Sequence, residues 1–401
     1  MRIKKNKLYC FCMIFLMFNA VFMRFQYFDR ALMIRYAIVF LLGIMVFPAS
    51  VNMIRKLNHK LITVGGLYFA LVLISAFINR NSHVITHTVV SALVYICILV
   101  ESVIAIKYIQ LKHGGEYLFR TFSSLFLVYI LMNDALLLLY PKMFFISNAT
   151  YYLFGNKFAV AYRHLEYLAI LIIKHNLCNK KKQRIYKFSI AVFILLSFII
   201  FNNLQGGSGG SGTGIVAIII MLLLYFIPKQ ILENQYIYIA SAIGATVFVV
   251  VFDAVLAFQS IQSFVVNFLH KDMTLTGRAV IYKFIPEVLN NHLLFGYGHG
   301  SSYETWMKFT HIYPNSQNGY IDCIVEQGLL ATIVLLLLVM LTISIFKKSG
   351  WGEKKYYPML VLIYTYSIIS CVEVTISIVF VWWIVLLFLL STEEEYELVE
   401  R

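Results

Sequence analysis

The sequence has few charged residues for its length, and this scarcity excludes a soluble globular protein. Charged residues make up 13% of the 401 residues, whereas hydrophobic residues make up 61%. A soluble protein typically has about 25% charged and about 45–50% apolar residues. One core could not bury so much apolar surface, so the lipid bilayer must be the solvent for most of the chain.

Three other features are absent from the sequence. No pair of the six cysteines has zinc-ligand spacing, so we expect no metal, no cofactor and no disulfide framework. No small-residue cleavage site follows the first apolar run, which favours an uncleaved span over a signal peptide. The net charge is +14, but no arginine stripe alternates with aromatic residues, so nucleic acid is not an expected partner.

Apolar runs of membrane-spanning length recur along the chain. A helix needs about 17–25 residues to cross the hydrocarbon core. The runs predict an all-α, polytopic bundle of about twelve spans, near 8–28, 31–51, 61–78, 84–106, 118–140, 158–173, 188–204, 213–229, 236–259, 319–346, 357–372 and 374–390. With the N-terminus inside, 22 of the 33 Lys and Arg are cytoplasmic and 10 are outside. This bias predicts that both termini are cytoplasmic.

Residues 260–318 form the longest polar interruption, which divides the chain into spans one to nine (1–259), an outer loop, and spans ten to twelve with an acidic tail (319–401). A loop this long is usually functional or disordered. Apolar residues at helical spacing predict an amphipathic helix from Gly277 to Asn290 within it.

Charged side chains inside predicted spans are costly and therefore need a partner, a cavity or a function. Arg163, His164 and Glu166 are the clearest case, and they have two interpretations. They could belong to a site, or Arg163 and Glu166 could form a structural pair at i, i+3. Asp134, Asp253 and Glu373 are weaker cases that we interpret as packing or interface residues.

Arg278 is the strongest single candidate in the outer loop, because it lies where the amphipathic helix begins. A helix N-terminus favours phosphate, and a guanidinium group binds phosphate oxygens in a bidentate manner. The alternative is a solvated surface arginine. The glycine-rich run 206–214 is either a linker or an anion-binding backbone nest. The amides of 315–318 could bind sugar hydroxyls or cap the next helix.

The order of these motifs resembles the O-antigen ligase and Wzy-type polysaccharide polymerase superfamily. The resemblance covers roughly residues 200–345. Its motifs are Thr276-Gly277-Arg278, a helix with Pro286, Gly296-Tyr297-Gly298, Asn315-Ser316-Gln317-Asn318-Gly319-Tyr320-Ile321, and Glu326-Gln327-Gly328. It implies a metal-independent, inverting glycosyltransferase of the bacterial cytoplasmic membrane. Its donor would be a glycan on undecaprenyl diphosphate, and cations would stabilise the leaving diphosphate.

The resemblance also implies site residues. Arg278 matches the family's loop arginine, and Tyr282 and Asn318 are further substrate-binding candidates. The family's second arginine follows a serine, but here Ser211 is followed by Gly212. Lys157 or Arg163 could supply that second cation instead.

The family's histidine position is occupied by Gln317, which cannot act as a general base. Gln317 could orient the acceptor while another residue takes the proton, the candidates being His311, His299 and Glu304. Alternatively, the good leaving group reduces the need for a base.

Within the resemblance, the form of residues 315–320, without the histidine that a ligase would more often retain, looks more like a polymerase that joins repeat units than a ligase that transfers finished polymer. A lipid-linked oligosaccharide flippase and a non-catalytic subunit are alternatives from other classes. Membrane lipid is an expected partner, and a chain-length regulator and a flippase are candidate protein partners. Transporters usually show two related halves with broken helices. We find no internal repeat in this sequence, which favours the enzyme over the transporter.

Overall fold

The computed structural model describes residues 2–23, 31–81, 87–139, 145–146, 149–150, 152–204, 210–263, 266–267, 277–349 and 355–399. The predicted all-α fold is confirmed. The helices are α1 (Arg2–Phe22), α2 (Ala31–Ile54), α3 (His59–Ile78), α4 (Thr88–Leu139), α5 (Lys157–Leu177), α6 (Lys180–Asn203), α7 (Gly212–Phe226), α8 (Lys229–Leu232), α9 (Gln235–Leu256), α10 (Gln259–Ser263), α11 (Arg278–Leu289), α12 (Ser302–Thr310), α13 (Gly319–Lys348), α14 (Tyr357–Ile369) and α15 (Ile378–Val399). Strands β1 (Phe145–Ile146) and β2 (Ala149–Thr150) form a small antiparallel hairpin.

Several helices are long and apolar enough to span a membrane, as expected of a multi-pass membrane protein. Six helices in the described part of the chain meet that criterion, over Leu32–Ile54, His59–Ile78, Thr88–Leu139, Lys180–Asn203, Gln235–Phe252 and Gly319–Lys348. Each of the twelve predicted runs overlaps a helix. The number of crossings, and the side on which each terminus lies, stay predictions.

Helix α4 contains 52 residues and reverses its direction at Gly114, whose φ of 76° and ψ of 161° are not helical. Three contacts with α1 show the reversal: the Tyr108 ring with Tyr9, the Tyr117 hydroxyl with the Lys7 carbonyl, and the Tyr129 hydroxyl with Asn19. Residues 108 and 117 would lie about 13 Å apart along a straight helix, but both meet the first turns of α1. The second half then runs alongside α1, so α4 is a pair of antiparallel helices.

Helix α13 is interrupted at Gly328, where φ is 84° and ψ is 165°. The backbone that follows α11 fills the interruption. The Leu329 amide donates to the Leu293 carbonyl at 2.8 Å, and the Tyr297 amide donates to the Val325 carbonyl at 2.8 Å. Main-chain hydrogen bonds therefore attach the segment between α11 and α12 to α13.

The predicted amphipathic helix is confirmed as α11. Its buried face consists of Ile281, Tyr282, Ile285 and Val288, which pack in a second apolar cluster with residues of α9, α12 and α13. Helices α14 and α15 are buried over most of their length in the main core. The apolar residues exposed on α2, α7 and α9 are suited to contact with lipid.

We expect Gly328→Ala to destabilise the protein by at least about 2 kcal/mol, for two reasons. Alanine would have to adopt a positive φ that favours glycine, and its Cβ would clash with a neighbouring backbone. That Cβ would lie 2.2 Å from the Leu294 carbonyl oxygen. Thermal unfolding of the purified protein in detergent measures the effect. Gly244→Ala on α9 is the matched control, since nothing lies within 4 Å of its added Cβ. Equal stability of the two variants would contradict the prediction.

Candidate functional site

Arg278 is buried at the first position of α11, with 7% of its surface exposed. Its Nε donates to the Val372 carbonyl at 2.8 Å, and its Nη2 donates to Glu373 Oε1 at 2.5 Å. Both acceptors belong to the connection between α14 and α15. The surface-arginine alternative is therefore wrong for this residue, which instead joins α11 to the main bundle.

Glu373 lies where several helix N-termini come together. Thr213, in the first turn of α7, donates its hydroxyl to Glu373 Oε1 at 3.5 Å. Lys157, the first residue of α5, is within electrostatic range of the same carboxylate. The α13 N-cap, Asn318, donates to the Cys371 carbonyl at 3.4 Å. Helix N-termini carry partial positive charge, so this arrangement favours an anion.

The environment of Glu373 balances opposing effects on its proton affinity. Burial raises the pKa of the Glu373 carboxyl to about 7, although Arg278 and Lys157 both act to lower it. A carboxyl group with that pKa exchanges its proton near neutral pH. It is therefore suited to accept a proton during a reaction.

We call the group formed by Lys157, Tyr162, Thr213, Arg278 and Glu373 the Arg278 cluster. Tyr162 is buried, its hydroxyl has no hydrogen-bond partner among the described residues, and it lies within electrostatic range of both Glu373 and Arg278. A buried hydroxyl without a partner is costly, which makes it a candidate ligand contact.

Tyr282, the predicted substrate contact on α11, is a neighbour of the Arg278 cluster. Its hydroxyl donates to the Cys371 carbonyl at 2.9 Å and approaches the Gln317 carbonyl at 3.3 Å. Tyr282 thereby connects α11 to the same α14–α15 connection that Arg278 binds.

Arg163 forms the structural pair that the sequence offered as one of two interpretations. Its Nη1 lies 2.8 Å from Glu166 Oε2, and both side chains are buried. Its guanidinium group lies 4.8 Å from the centre of the Phe22 ring. Glu166 also accepts a hydrogen bond from Tyr366. Lys157, rather than Arg163, is the second cation beside Glu373.

A separate buried group surrounds His164. Its Nδ1 is 2.9 Å from Ser197 Oγ, and its Nε2 is 3.1 Å from Asp134 Oδ1. The order Ser–His–Asp resembles a hydrolase triad, but Ser197 already donates to the Phe193 carbonyl. All three side chains are buried, so this group fastens α4, α5 and α6 together. That agrees with the packing role expected of Asp134.

The amide motif before α13 has two different roles. Asn318 is fully buried and caps α13: its Oδ1 accepts from the Ile321 amide at 3.0 Å, and its Nδ2 donates to the Ala245 carbonyl at 2.9 Å. These bonds fit the helix-cap interpretation. Gln317 is half-buried with a φ of 53°, and its Nε2 donates to Asn315 Oδ1 at 2.7 Å.

The candidate histidine His299 contacts α4 and α13. His299 packs against Tyr95, with ring centres 4.2 Å apart, and its Nδ1 lies 3.2 Å from the Gln327 Nε2 and 3.3 Å from Glu326 Oε2. Burial, with a smaller effect of Arg35, lowers the pKa of His299 to about 3. The ring is therefore neutral and accepts a hydrogen bond from Gln327, which takes precedence over an ion pair with Glu326.

His311 ends α12 with a φ of 60° and is exposed, as is Glu304. The proposed roles of His299, His311 and Glu304 as proton acceptors stay predictions.

Glu373 is the site residue that sequence reasoning undervalued. The sequence alone suggests a packing or interface residue at this position, but Glu373 is the ion-pair partner of Arg278. An isolated acid between two long apolar runs was the available signal. No group of three His, Cys, Asp or Glu side chains that could hold a metal occurs among the described residues.

Comparison with known proteins leaves the site as the main guide to function. No protein-family model matches the sequence, and no curated protein matches it significantly.

We expect Arg163→Gln to cost about 3–5 kcal/mol of stability, because it would leave Glu166 as an uncompensated buried charge. Lys157→Gln should change stability by less than about 1 kcal/mol, since Lys157 is partly exposed. Thermal unfolding of both variants in the same detergent gives the comparison. A larger loss of stability in Lys157→Gln than in Arg163→Gln would contradict the structural role assigned to Arg163.

Proposed function

We propose that this protein is a polysaccharide polymerase of the bacterial cytoplasmic membrane. It joins undecaprenyl-diphosphate-linked repeat units on the outer face by inverting, metal-independent glycosyl transfer. In this proposal the chain crosses the membrane twelve times, and both termini are cytoplasmic. The main supporting observation is the position of Arg278 and Lys157, two cations beside one carboxylate where helix N-termini converge. The resemblance of the loop motifs supports the same activity.

The Arg278 cluster has the charges that a diphosphate requires. In this proposal a diphosphate oxygen takes the place of Glu373 Oε1 on the guanidinium group, and Lys157 contributes the second positive charge. The helix N-termini of α5, α7 and α11 add favourable dipoles. Stabilisation of the charge that develops on the leaving diphosphate lowers the barrier to transfer. Tyr162 is placed to donate its hydroxyl to the same anion.

The released Glu373 carboxylate then completes the chemistry. The oxygen of an acceptor hydroxyl attacks the anomeric carbon of the donor sugar and forms the new C–O bond. The bond from that carbon to the diphosphate oxygen breaks, and its electron pair leaves with the lipid diphosphate. The hydroxyl proton passes to Glu373, which fills the role that Gln317 cannot perform.

Two other functions make different use of the same site. A ligase would transfer finished polymer to a separate acceptor with the same chemistry, and its product distinguishes it. A flippase would bind the lipid diphosphate without breaking it. The concentration of the charged groups around one loop helix, in a sequence without an evident internal repeat, favours an enzyme over a transporter built from two related halves.

We expect Arg278→Ala to stop polymerisation, because the leaving diphosphate loses its bidentate cation, at a cost of about 100-fold or more in rate. The measurement is the length of polymer on a gel from cells with normal amounts of the variant. Lys283→Ala is the control, since Lys283 is an exposed cation on the same helix.

Single repeat units should accumulate on lipid at the outer face of Arg278→Ala cells. Their accumulation at the inner face would identify a flippase instead. Polymer of normal length in Arg278→Ala cells would remove Arg278 from the site and refute the proposed mechanism.

We expect Glu373→Gln to lower the polymerisation rate by about 100-fold, because the amide cannot accept a proton. For the unaltered protein, the rate should fall as the pH decreases below about 7, since Glu373 must be ionised to act. Arg278, Lys157, Thr213 and Tyr162 are the charged and polar groups that face it. Purified protein with a lipid-linked donor gives the pH profile, and Glu287→Gln, exposed on α11, is the control. An unchanged profile in Glu373→Gln would exclude this role.

A further inference from the structure

A cavity of about 680 Å³ opens between α1, α2 and α4. It lies far from the Arg278 cluster, because α1 extends from Tyr9 at the cavity to Phe22, over which Arg163 of α5 lies. The thirteen intervening steps correspond to about 20 Å along the helix. The cavity and the Arg278 cluster are therefore at opposite ends of the bundle.

The charged residues that line the cavity are all positive. Arg55 and Lys56 lie just after the end of α2, and Lys112 lies on α4 just before the reversal at Gly114. All three side chains are exposed. No aspartate or glutamate is among the residues that line the cavity in the described part of the chain. Three cations around one opening attract an anion with more than one negative charge or several oxygens.

The wall of the cavity combines apolar and hydrogen-bonding groups. Pro48, Ala49, Met53 and Leu111 are apolar, whereas Asn52 and the two tyrosines, Tyr9 and Tyr108, carry polar groups. The Tyr9 hydroxyl donates to the Met45 carbonyl, and the two tyrosine rings meet edge to face. Proline at position 48 removes one backbone hydrogen bond of α2, at the level where the cavity opens. Tyrosine is typical of the boundary between hydrocarbon and head groups.

The cavity borders an exposed apolar face of α2. The outward side chains of α2 that precede it, Phe47 and Val51, are 78% and 61% exposed and are suited to contact with acyl chains. An anion that enters from the side would therefore bring a hydrocarbon tail along this face. A cavity with cations at its mouth, apolar walls and a lipid-facing side matches the two parts of a phospholipid.

We propose that the cavity binds the phosphate-bearing head group of an anionic phospholipid, with Arg55, Lys56 and Lys112 as its ligands. Basic pockets between transmembrane helices are a recognised type of lipid site. The shared chemistry is an organic phosphate, and a soluble phosphate ester is the other possible source. The proposal does not depend on the polymerase activity, because it involves none of the residues of the Arg278 cluster.

Native mass spectrometry of the delipidated protein tests the proposal. The probes are phosphatidylglycerol and phosphatidylcholine of equal chain length, and glycerol 3-phosphate as the soluble competitor. The test variant replaces Arg55, Lys56 and Lys112 with glutamine. The control variant replaces Lys180, Lys181 and Lys182, three exposed cations of α6 that do not line the cavity, in the same way. Thermal unfolding verifies that both variants are folded.

We expect the unaltered protein to bind phosphatidylglycerol in preference to phosphatidylcholine. The triple cavity variant should lose at least about tenfold in phosphatidylglycerol affinity, whereas the α6 variant should keep it. Equal binding of the two lipids, or equal loss in both variants, would overturn the proposal. Displacement of phosphatidylglycerol by millimolar glycerol 3-phosphate would overturn the lipid assignment in favour of a soluble ester.

Discussion

The buried ion pair between Arg278 and Glu373 is the interaction on which the placement of α11 against the main bundle depends. Burial of either charge alone would cost several kcal/mol, so each residue requires the other. The pair fixes the start of α11 against the α14–α15 connection, and Thr213 adds the first turn of α7. Segments that are distant in sequence thus meet at one pair of charges.

The same ion pair explains why a structural and a catalytic role are compatible. An anion that binds Arg278 replaces the negative charge of Glu373, so the guanidinium group keeps a counter-ion throughout. In the proposed polymerase, the displaced carboxylate would become a proton acceptor when an acceptor hydroxyl needs one, so donor binding would itself activate the base.

The sequence predicts the helices well but the joints between them poorly. Apolar runs fix where helices form, and the spacing of Ile281, Ile285 and Val288 predicts the buried face of α11. The pairing of Arg278 with Glu373 spans 95 residues, and no local pattern reports a contact of that kind. The interruption of α13 at Gly328 is equally hard to predict from local sequence, because it arises from the approach of another backbone.

The attachment of the segment after α11 to α13 concentrates the sequence requirements of the joint on a few positions. The bonds of Leu329 and Tyr297 at Gly328 join main chain to main chain, so they require glycine where the backbones touch but no particular side chain at the bonded residues. Ser75 and Asn79 of α3 also bind carbonyls of this segment, those of Phe295 and Gly296, and are therefore required as well. The geometry of the joint can thus persist while most of the side chains around it vary.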